Sequence, residues 1–206
     1  MAKRILPYRD YSEHDVVNLF ALEIGSGDDL STFVSNGSGK FDAGVVVSVS
    51  AGDLPGEVSE LRAASSDNLR EYLGASFSGA HIGFNGYPAN GMTVAPAAAG
   101  SRGLGITLRE TLAFDENGEK LLYYKQKLDE AQGVLPGQTV PVLTRGLVLL
   151  AAGAISGTPS IGDDLEVKAG GKLGTQASGA VVGSIIAIGE ESDDSTAKKY
   201  LCRVSF

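Results

Sequence analysis

Glycine divides this chain into short stretches, and most of those stretches are apolar and rich in Val, Ile, Leu and Thr. The 206 residues include 28 glycines, which is roughly double the usual share of about 7%. Because glycine adopts positive φ at little cost, such a chain can reverse direction many times. Several apolar stretches also alternate apolar and polar residues with the period of two that half-buried strands show. The pattern predicts a mainly β fold, a small β-barrel or β-sandwich with a short helix and long loops.

Six stretches are predicted to form strands: residues 43–51, 104–115, 139–152, 165–168, 180–190 and 200–206. Alternation is clearest at 47–50 and 106–109, which predicts half-buried strands there. Residues 180–188 are almost all apolar, so we expect this strand to be buried on both faces. Two turns are predicted between strands, one at Asp115–Gly118 with its Asn-Gly pair and one at Gly170–Gly171.

Helical patterns are few. Residues 65–74 place Leu69, Tyr72 and Leu73 on one helical face, with Ser66 or Asp67 as the cap and Gly74 as the stop. A second short helix is predicted within residues 126–133.

The length of the chain favours one domain. Residues 25–206 are predicted to form the β-rich domain, with a long Gly- and Ala-rich loop at about 76–105, and a loop of that length usually has a function. Residues 1–24 combine a proline-marked segment with an apolar stretch, which predicts an extended N-terminal arm or edge strand. A faint repeat of Gly-Asp-Asp-Leu, at 27–30 and 162–165, leaves a duplicated hairpin unit open.

Charge and hydropathy exclude several classes of partner. The net charge is −8, the sequence pI is about 4.8, and the 17 Lys and Arg are scattered. Nucleic-acid binding relies on clustered cations, so we expect no nucleic-acid partner. No apolar stretch approaches the roughly 20 residues that span a bilayer, and MAKRILPYRD lacks the apolar run of a signal peptide. We therefore expect a soluble protein made without export, with no membrane partner. The single cysteine, Cys202, is expected to be a small apolar strand residue.

The stretch GDDLEVKAGGKLG, residues 162–174, contains paired aspartates and a Gly-Gly-Lys step. A phosphate loop needs Ser or Thr after its Gly-Lys, whereas Lys172 is followed by Leu173. The aspartates lack the alternating oxygens and terminal Glu of a calcium loop. We expect Asp163 or Asp164 to bond its own backbone in a turn before a strand. The sequence therefore predicts no cofactor and no metal.

The two histidines give little support to catalysis. Glu13-His14-Asp15 would place the neighbouring side chains on opposite faces of an extended chain, so they would form no proton relay. His81 has Ser76 and Ser78 nearby in sequence but neither a G-x-S-x-G elbow nor an orienting acid. We predict that the protein is not an enzyme and has no catalytic residues. A hydrolase using His81 is kept as an alternative.

The C-terminal pattern resembles the small β-barrel modules of head decoration, or cement, proteins of tailed bacteriophages. The resemblance covers residues 162–206: a Gly-Asp-x-Leu-x-Val strand, a Gly-Lys turn, the run Gly-Ala-Val-Val-Gly-x-Ile-Ile-Ala-Ile and a final Cys-Arg-Val-Ser-Phe strand. The opening MAKRILPYRDYSEHDVVNLFAL also looks like the start of structural proteins from phages of marine bacteria. Residues 23–161 carry no resemblance.

This resemblance implies a viral structural protein that is made in the host cytoplasm and binds the outer surface of the phage head. It implies the major capsid protein as partner, whose adjoining subunits the protein would hold together, and a homo-oligomer, commonly a trimer. A tail or fibre component is the alternative within the same structural class.

Contacts with the capsid or with other subunits are predicted in the two segments that exceed a minimal cement module. Aliphatic and aromatic groups beside a proline lose little entropy on docking, so the arm is expected to use Ile5, Leu6, Tyr8 and Tyr11. The loop is expected to use Phe84, Tyr87, Pro88 and Met92. The alternative for both sets is that they pack on their own domain.

Overall fold

The structure, a computed structural model, describes residues 4–22, 43–50, 93–112, 121–130, 132–135, 138–191 and 194–206. Most of the secondary structure in these residues is strand, and the predicted mainly β class is confirmed. In chain order the strands are β1 (Ile5–Asp10), β2 (Val16–Val17), β3 (Ala21–Leu22), β4 (Val46–Ser50), β5 (Thr93–Pro96), β6 (Gly105–Thr107), β7 (Glu110–Thr111), β8 (Gly133–Val134), β9 (Val142–Leu143), β10 (Arg145–Ala151), β11 (Ile155–Ser156), β12 (Asp164–Lys168), β13 (Lys172–Thr175), β14 (Gly183–Glu191) and β15 (Asp194–Ser205). The helix α1 (Lys125–Glu130) and 3-10 turns at Glu13–Asp15, Leu121–Tyr123 and Ala152–Ala154 complete the described elements.

The described strands pair into three sheets. A seven-stranded sheet has the order β1-β10-β15-β14-β12-β13-β11, and a six-stranded sheet has the order β2-β9-β6-β4-β5-β3. A small two-stranded sheet joins β7 to β8. Most pairs are antiparallel, as expected for strands linked by tight turns, while β3–β5, β7–β8 and β11–β13 are parallel.

The main core is shared by the two large sheets. Alternate residues of β10 and β15, including Val148, Leu150 and Cys202, point into it from the seven-stranded sheet. Val46, Ile106 and Leu143 contribute from the six-stranded sheet. Opposed sheets with a common apolar layer form an arrangement of the β-sandwich type. Cys202 lies in β15, in agreement with the predicted strand residue; it is fully buried, and burial raises the pKa of its thiol to about 12.

The six-stranded sheet is also buried on part of its other face, although Val49 near the end of β4 is 59% exposed. Val45, Val47 and Val142 belong to a second, smaller core, which Val134 of β8 and Val140 complete together with Val94 of β5. Consecutive residues of β4 therefore lie in different cores, Val46 in the first and Val47 in the second. The start of this strand is apolar on both faces because both faces are covered.

The predicted Gly-Gly turn links β12 to β13 and docks on the six-stranded sheet. Gly170 and Gly171 have φ of +72° and +66°, the left-handed region that favours glycine. The Gly171 N–H donates to the carbonyl of Ala97 at 3.0 Å, and its own carbonyl accepts from the Val46 N–H at 2.8 Å. The turn thus joins the two sheets through the backbone.

Two sequence-based predictions are wrong in part. The stretch 180–188 is not buried on both faces, because Val181 is 51% exposed and Ile186 is 44% exposed, the latter at a bulge in β14. The loop predicted at about 76–105 includes β5, which pairs with β4 and lies in the sheet. A long segment of small residues can form a strand when a neighbouring strand supplies its hydrogen bonds.

Other predictions are confirmed or lie outside the described residues. The short helix predicted within 126–133 is α1, and positive φ at Gln132 (54°) shows that the helical conformation has ended by that residue. The helix predicted at 65–74, the turn at Asp115–Gly118 and the first copy of Gly-Asp-Asp-Leu lie outside the described residues.

Candidate interaction surfaces

The N-terminal segment is an edge strand of the chain's own seven-stranded sheet. Ile5 pairs with Leu150 of β10, and the carbonyl of Arg4 accepts a hydrogen bond from the Ala151 N–H at 2.7 Å. Ile5 is only 3% exposed and lies in the main core. The prediction that Ile5 anchors the arm on another molecule is therefore wrong, since its side chain fills the chain's own interior.

The other three residues predicted for the arm differ in exposure. Tyr11 is half-buried and packs against the main core, and Leu6 is also half-buried. Tyr8 is 57% exposed, which is unusual for an aromatic side chain on a sheet. Of the four residues, Tyr8 offers the largest accessible apolar surface to a partner.

The residues predicted for the loop, Phe84, Tyr87, Pro88 and Met92, lie outside the described residues. The two residues that flank the segment 51–92 belong to neighbouring strands. Ser50, the last residue of β4, is the direct ladder partner of Thr93, the first residue of β5. The sheet therefore brings together the points at which residues 51–92 leave and rejoin it.

The face of the seven-stranded sheet that points away from the main core has an organised pattern. We use the term outer face for two adjacent rows across its central strands, Leu149-Leu201-Ala187 and Asp10-Leu147-Arg203-Ser184-Asp164. The three leucines and Ala187 are half-buried, whereas Asp10, Arg203 and Asp164 are exposed. Tyr8, two positions before Asp10, is on the same side of β1 because side chains alternate along a strand, but it lies within the register irregularity between Ile5 and Arg9. The sequence did not predict this surface, because the strand order brings its residues together.

A second surface that the sequence did not predict lies next to α1. Tyr123 is 74% exposed and Tyr124 is 45% exposed. The ammonium group of Lys127 lies 5.1 Å from the centroid of the Tyr124 ring, within the range of a cation–π contact. Leu121 is buried and fixes this turn to the domain.

Glu166 is a buried carboxylate with a structural environment. Its Oε2 accepts hydrogen bonds from three successive backbone N–H groups, at 2.9 Å from Ala177, 3.1 Å from Ser178 and 2.6 Å from Gly179. Its Oε1 contacts the ammonium group of Lys168. These contacts, with Lys168 contributing most, lower the pKa of Glu166 to about 2. The carboxylate holds the loop between β13 and β14 in place.

The stretch 162–174 is structural in its described geometry. Asp163 accepts a hydrogen bond from the Ser160 N–H at 2.8 Å, which confirms the predicted turn before a strand. The N–H and carbonyl of Gly171 are occupied by the six-stranded sheet, so they are not directed at a ligand. Within the described ranges, no group of three or more His, Cys, Asp or Glu side chains is close enough to hold a metal ion.

The two histidines are placed differently. The N–H of His14 donates to the Ser12 hydroxyl in a 3-10 turn on the surface. His81 lies outside the described residues, so the hydrolase alternative stays a hypothesis.

Comparison with known proteins finds no family model, no curated protein and no solved structure that matches this chain. None of the helices in the described ranges combines the length and apolar composition needed to cross a bilayer.

Proposed function

We propose that this chain is a decoration protein of a tailed-phage head, which binds the outer surface of the capsid and holds adjoining major capsid subunits together. The resemblance of residues 162–206 to cement modules supports this function. The described geometry is compatible with it: those residues form β12 to β15, and the Gly-Gly turn fixes them to the second sheet.

The observation that carries the proposal furthest is the pairing of Ser50 with Thr93. The ladder between β4 and β5 is continuous up to the two residues that flank 51–92. A segment of that length is retained in a compact domain most often because it has a function of its own. We assign the capsid contacts to this segment, with Phe84, Tyr87 and Met92 as the apolar anchors.

The test is binding to purified phage heads that lack the protein. A variant in which Asn-Gly replaces residues 51–92 is expected to fold, since Asn-Gly suits a two-residue hairpin, and to lose head binding. The milder variant Phe84→Ala/Tyr87→Ala/Met92→Ala keeps the chain length and is expected to weaken binding at least tenfold, because buried aromatic anchors dominate interfaces. Co-sedimentation with heads measures both.

The matched control is Tyr123→Ala/Tyr124→Ala, which removes exposed tyrosines elsewhere and should leave head binding unchanged. Deleting residues 1–12 is not a suitable control, because it removes β1 and the buried Ile5. Full head binding by the Asn-Gly variant would exclude 51–92 as the contact. Binding of the parent to purified tails and not to heads would favour the tail or fibre alternative.

A further inference from the structure

The outer face has the composition of a protein–protein contact. Leu149 and Leu201 are direct cross-strand partners on β10 and β15, and Ala187 of β14 continues the row. These three residues form an aliphatic band, and the neighbouring strand β1 carries the exposed Tyr8. Tyr and Arg beside aliphatic groups are typical of the central residues of interfaces.

The second row of the outer face has a symmetric distribution of charge. Arg203 of β15 is at its centre, and Asp10 and Asp164 stand two strands away on either side. Neighbouring strands are about 4.8 Å apart, so each carboxylate column is roughly 10 Å from the arginine column. Within the described residues, none of these three side chains forms an ion pair.

We propose that the outer face binds the outer face of a second copy of this chain about a two-fold axis. A two-fold axis that runs parallel to the strands and passes over β10 places β1 of each copy opposite β15 of the other. Arg203 of each copy then meets Asp10 of the other, which gives two identical ion pairs. The same rotation places Leu147 and Leu149 each against its own counterpart and brings Leu201 over β1. The Asp10 and Arg203 charges are thus self-complementary about this axis, as a two-fold contact requires.

This inference is independent of head binding and goes beyond it. The contact predicts two copies, or a multiple of two, in solution, whereas the resemblance to cement modules implies three. It also gives β1, the strand of Tyr8, a role in subunit contact and leaves residues 51–92 for the capsid.

The experiment is sedimentation equilibrium of the full chain over a range of concentrations. The parent is expected to give the mass of a dimer. Asp10→Arg and Arg203→Asp each place like charges opposite each other and are expected to weaken the dimer at least tenfold. The double variant Asp10→Arg/Arg203→Asp restores the pair with its sign reversed and is expected to recover most of the affinity.

Arg102→Asp is the matched control, because Arg102 is exposed but lies outside the outer face; it should leave the dimer intact. Both reversed residues are exposed, so equal unfolding temperatures check that the variants fold. A monomeric or trimeric parent would overturn the proposal. So would single reversals that keep the dimer, or a double variant as weak as the singles. Head binding by a monomer would leave the proposed function standing while this contact fails.

Discussion

Both large sheets contain apolar runs, yet the two sheets differ in whether neighbouring residues of such a run are both buried. In the six-stranded sheet, the neighbours Val46 and Val47 are both at most 1% exposed, because a core lies on each side. In the seven-stranded sheet, Ile185 is 2% exposed and its neighbour Ile186 is 44% exposed. An apolar run therefore predicts a strand, but the second covering layer decides whether both faces are interior.

The sharpest test of this comparison is truncation of one leucine in each sheet. Leu143 lies in the main core at 0% exposed, and Leu143→Ala is expected to lower the free energy of unfolding by about 3–4 kcal/mol. The matched variant Leu149→Ala removes a half-buried side chain from the outer face and should cost roughly 1 kcal/mol or less in the monomer. Urea denaturation at low protein concentration measures both. Equal losses would mean that the outer face is as buried as the core.

Substitution in the Gly-Gly turn, which joins the two sheets, is expected to give the next largest loss of stability. A Cβ at Gly171 would lie 2.5 Å from the carbonyl oxygen of Val46, in addition to requiring positive φ. Gly171→Ala is therefore expected to cost about 2–3 kcal/mol of unfolding free energy. At Gly170 nothing lies within 4 Å of an added Cβ, so Gly170→Ala should cost only about 1 kcal/mol, for the backbone conformation alone. If Gly170→Ala and Gly171→Ala lower the free energy of unfolding equally, contact with the six-stranded sheet does not hold the turn in place.

The smallest expected effect is the contribution of Glu166, on the seven-stranded sheet, to the pH dependence of stability. Its pKa in the folded protein is about 2, below the ordinary value of 4.5. A lowered pKa stabilises the folded state above the unfolded-state value, and that contribution is lost as pH falls from about 4.5 towards 2. The parent's unfolding temperature should therefore fall more steeply over this range than that of Glu166→Gln.

Calorimetry between pH 6 and pH 2 measures this response. Glu13→Gln, which removes an exposed carboxylate from the surface turn, is the control for the loss of one negative charge. Parallel curves for the parent and Glu166→Gln would show that the three N–H donors do not favour the charged form.

Much of the fold is predictable from local sequence. The Gly-Gly turn, the strand pattern around it and the short helix each depend on residues close together in the chain. The missed features depend on distant partners: β5 is a strand because β4 lies beside it, and the extra residue of β14 forms a bulge against β15. Neither partner strand can be identified from the sequence of the segment itself.

The candidate surfaces were predicted less well than the fold. Of the arm residues, Tyr8 is exposed while Ile5 is core, although both belong to one short strand. Side chains alternate between the two faces of β1, which explains part of this difference. The register irregularity between Ile5 and Arg9 explains why counting residues along β1 does not give their partners on β10. The Asp10–Arg203–Asp164 row joins residues far apart in sequence, so only strand order reveals it.

The direct pairing of Ser50 with Thr93 has a consequence for how this chain can change. Two strands that are already in register tolerate very different lengths of polypeptide between them, since each doubling of a flexible loop costs only about 0.6 kcal/mol. The position between Ser50 and Thr93 is thus suited to the display of foreign peptides. A peptide inserted there would leave the hydrogen bonds between β4 and β5 unchanged.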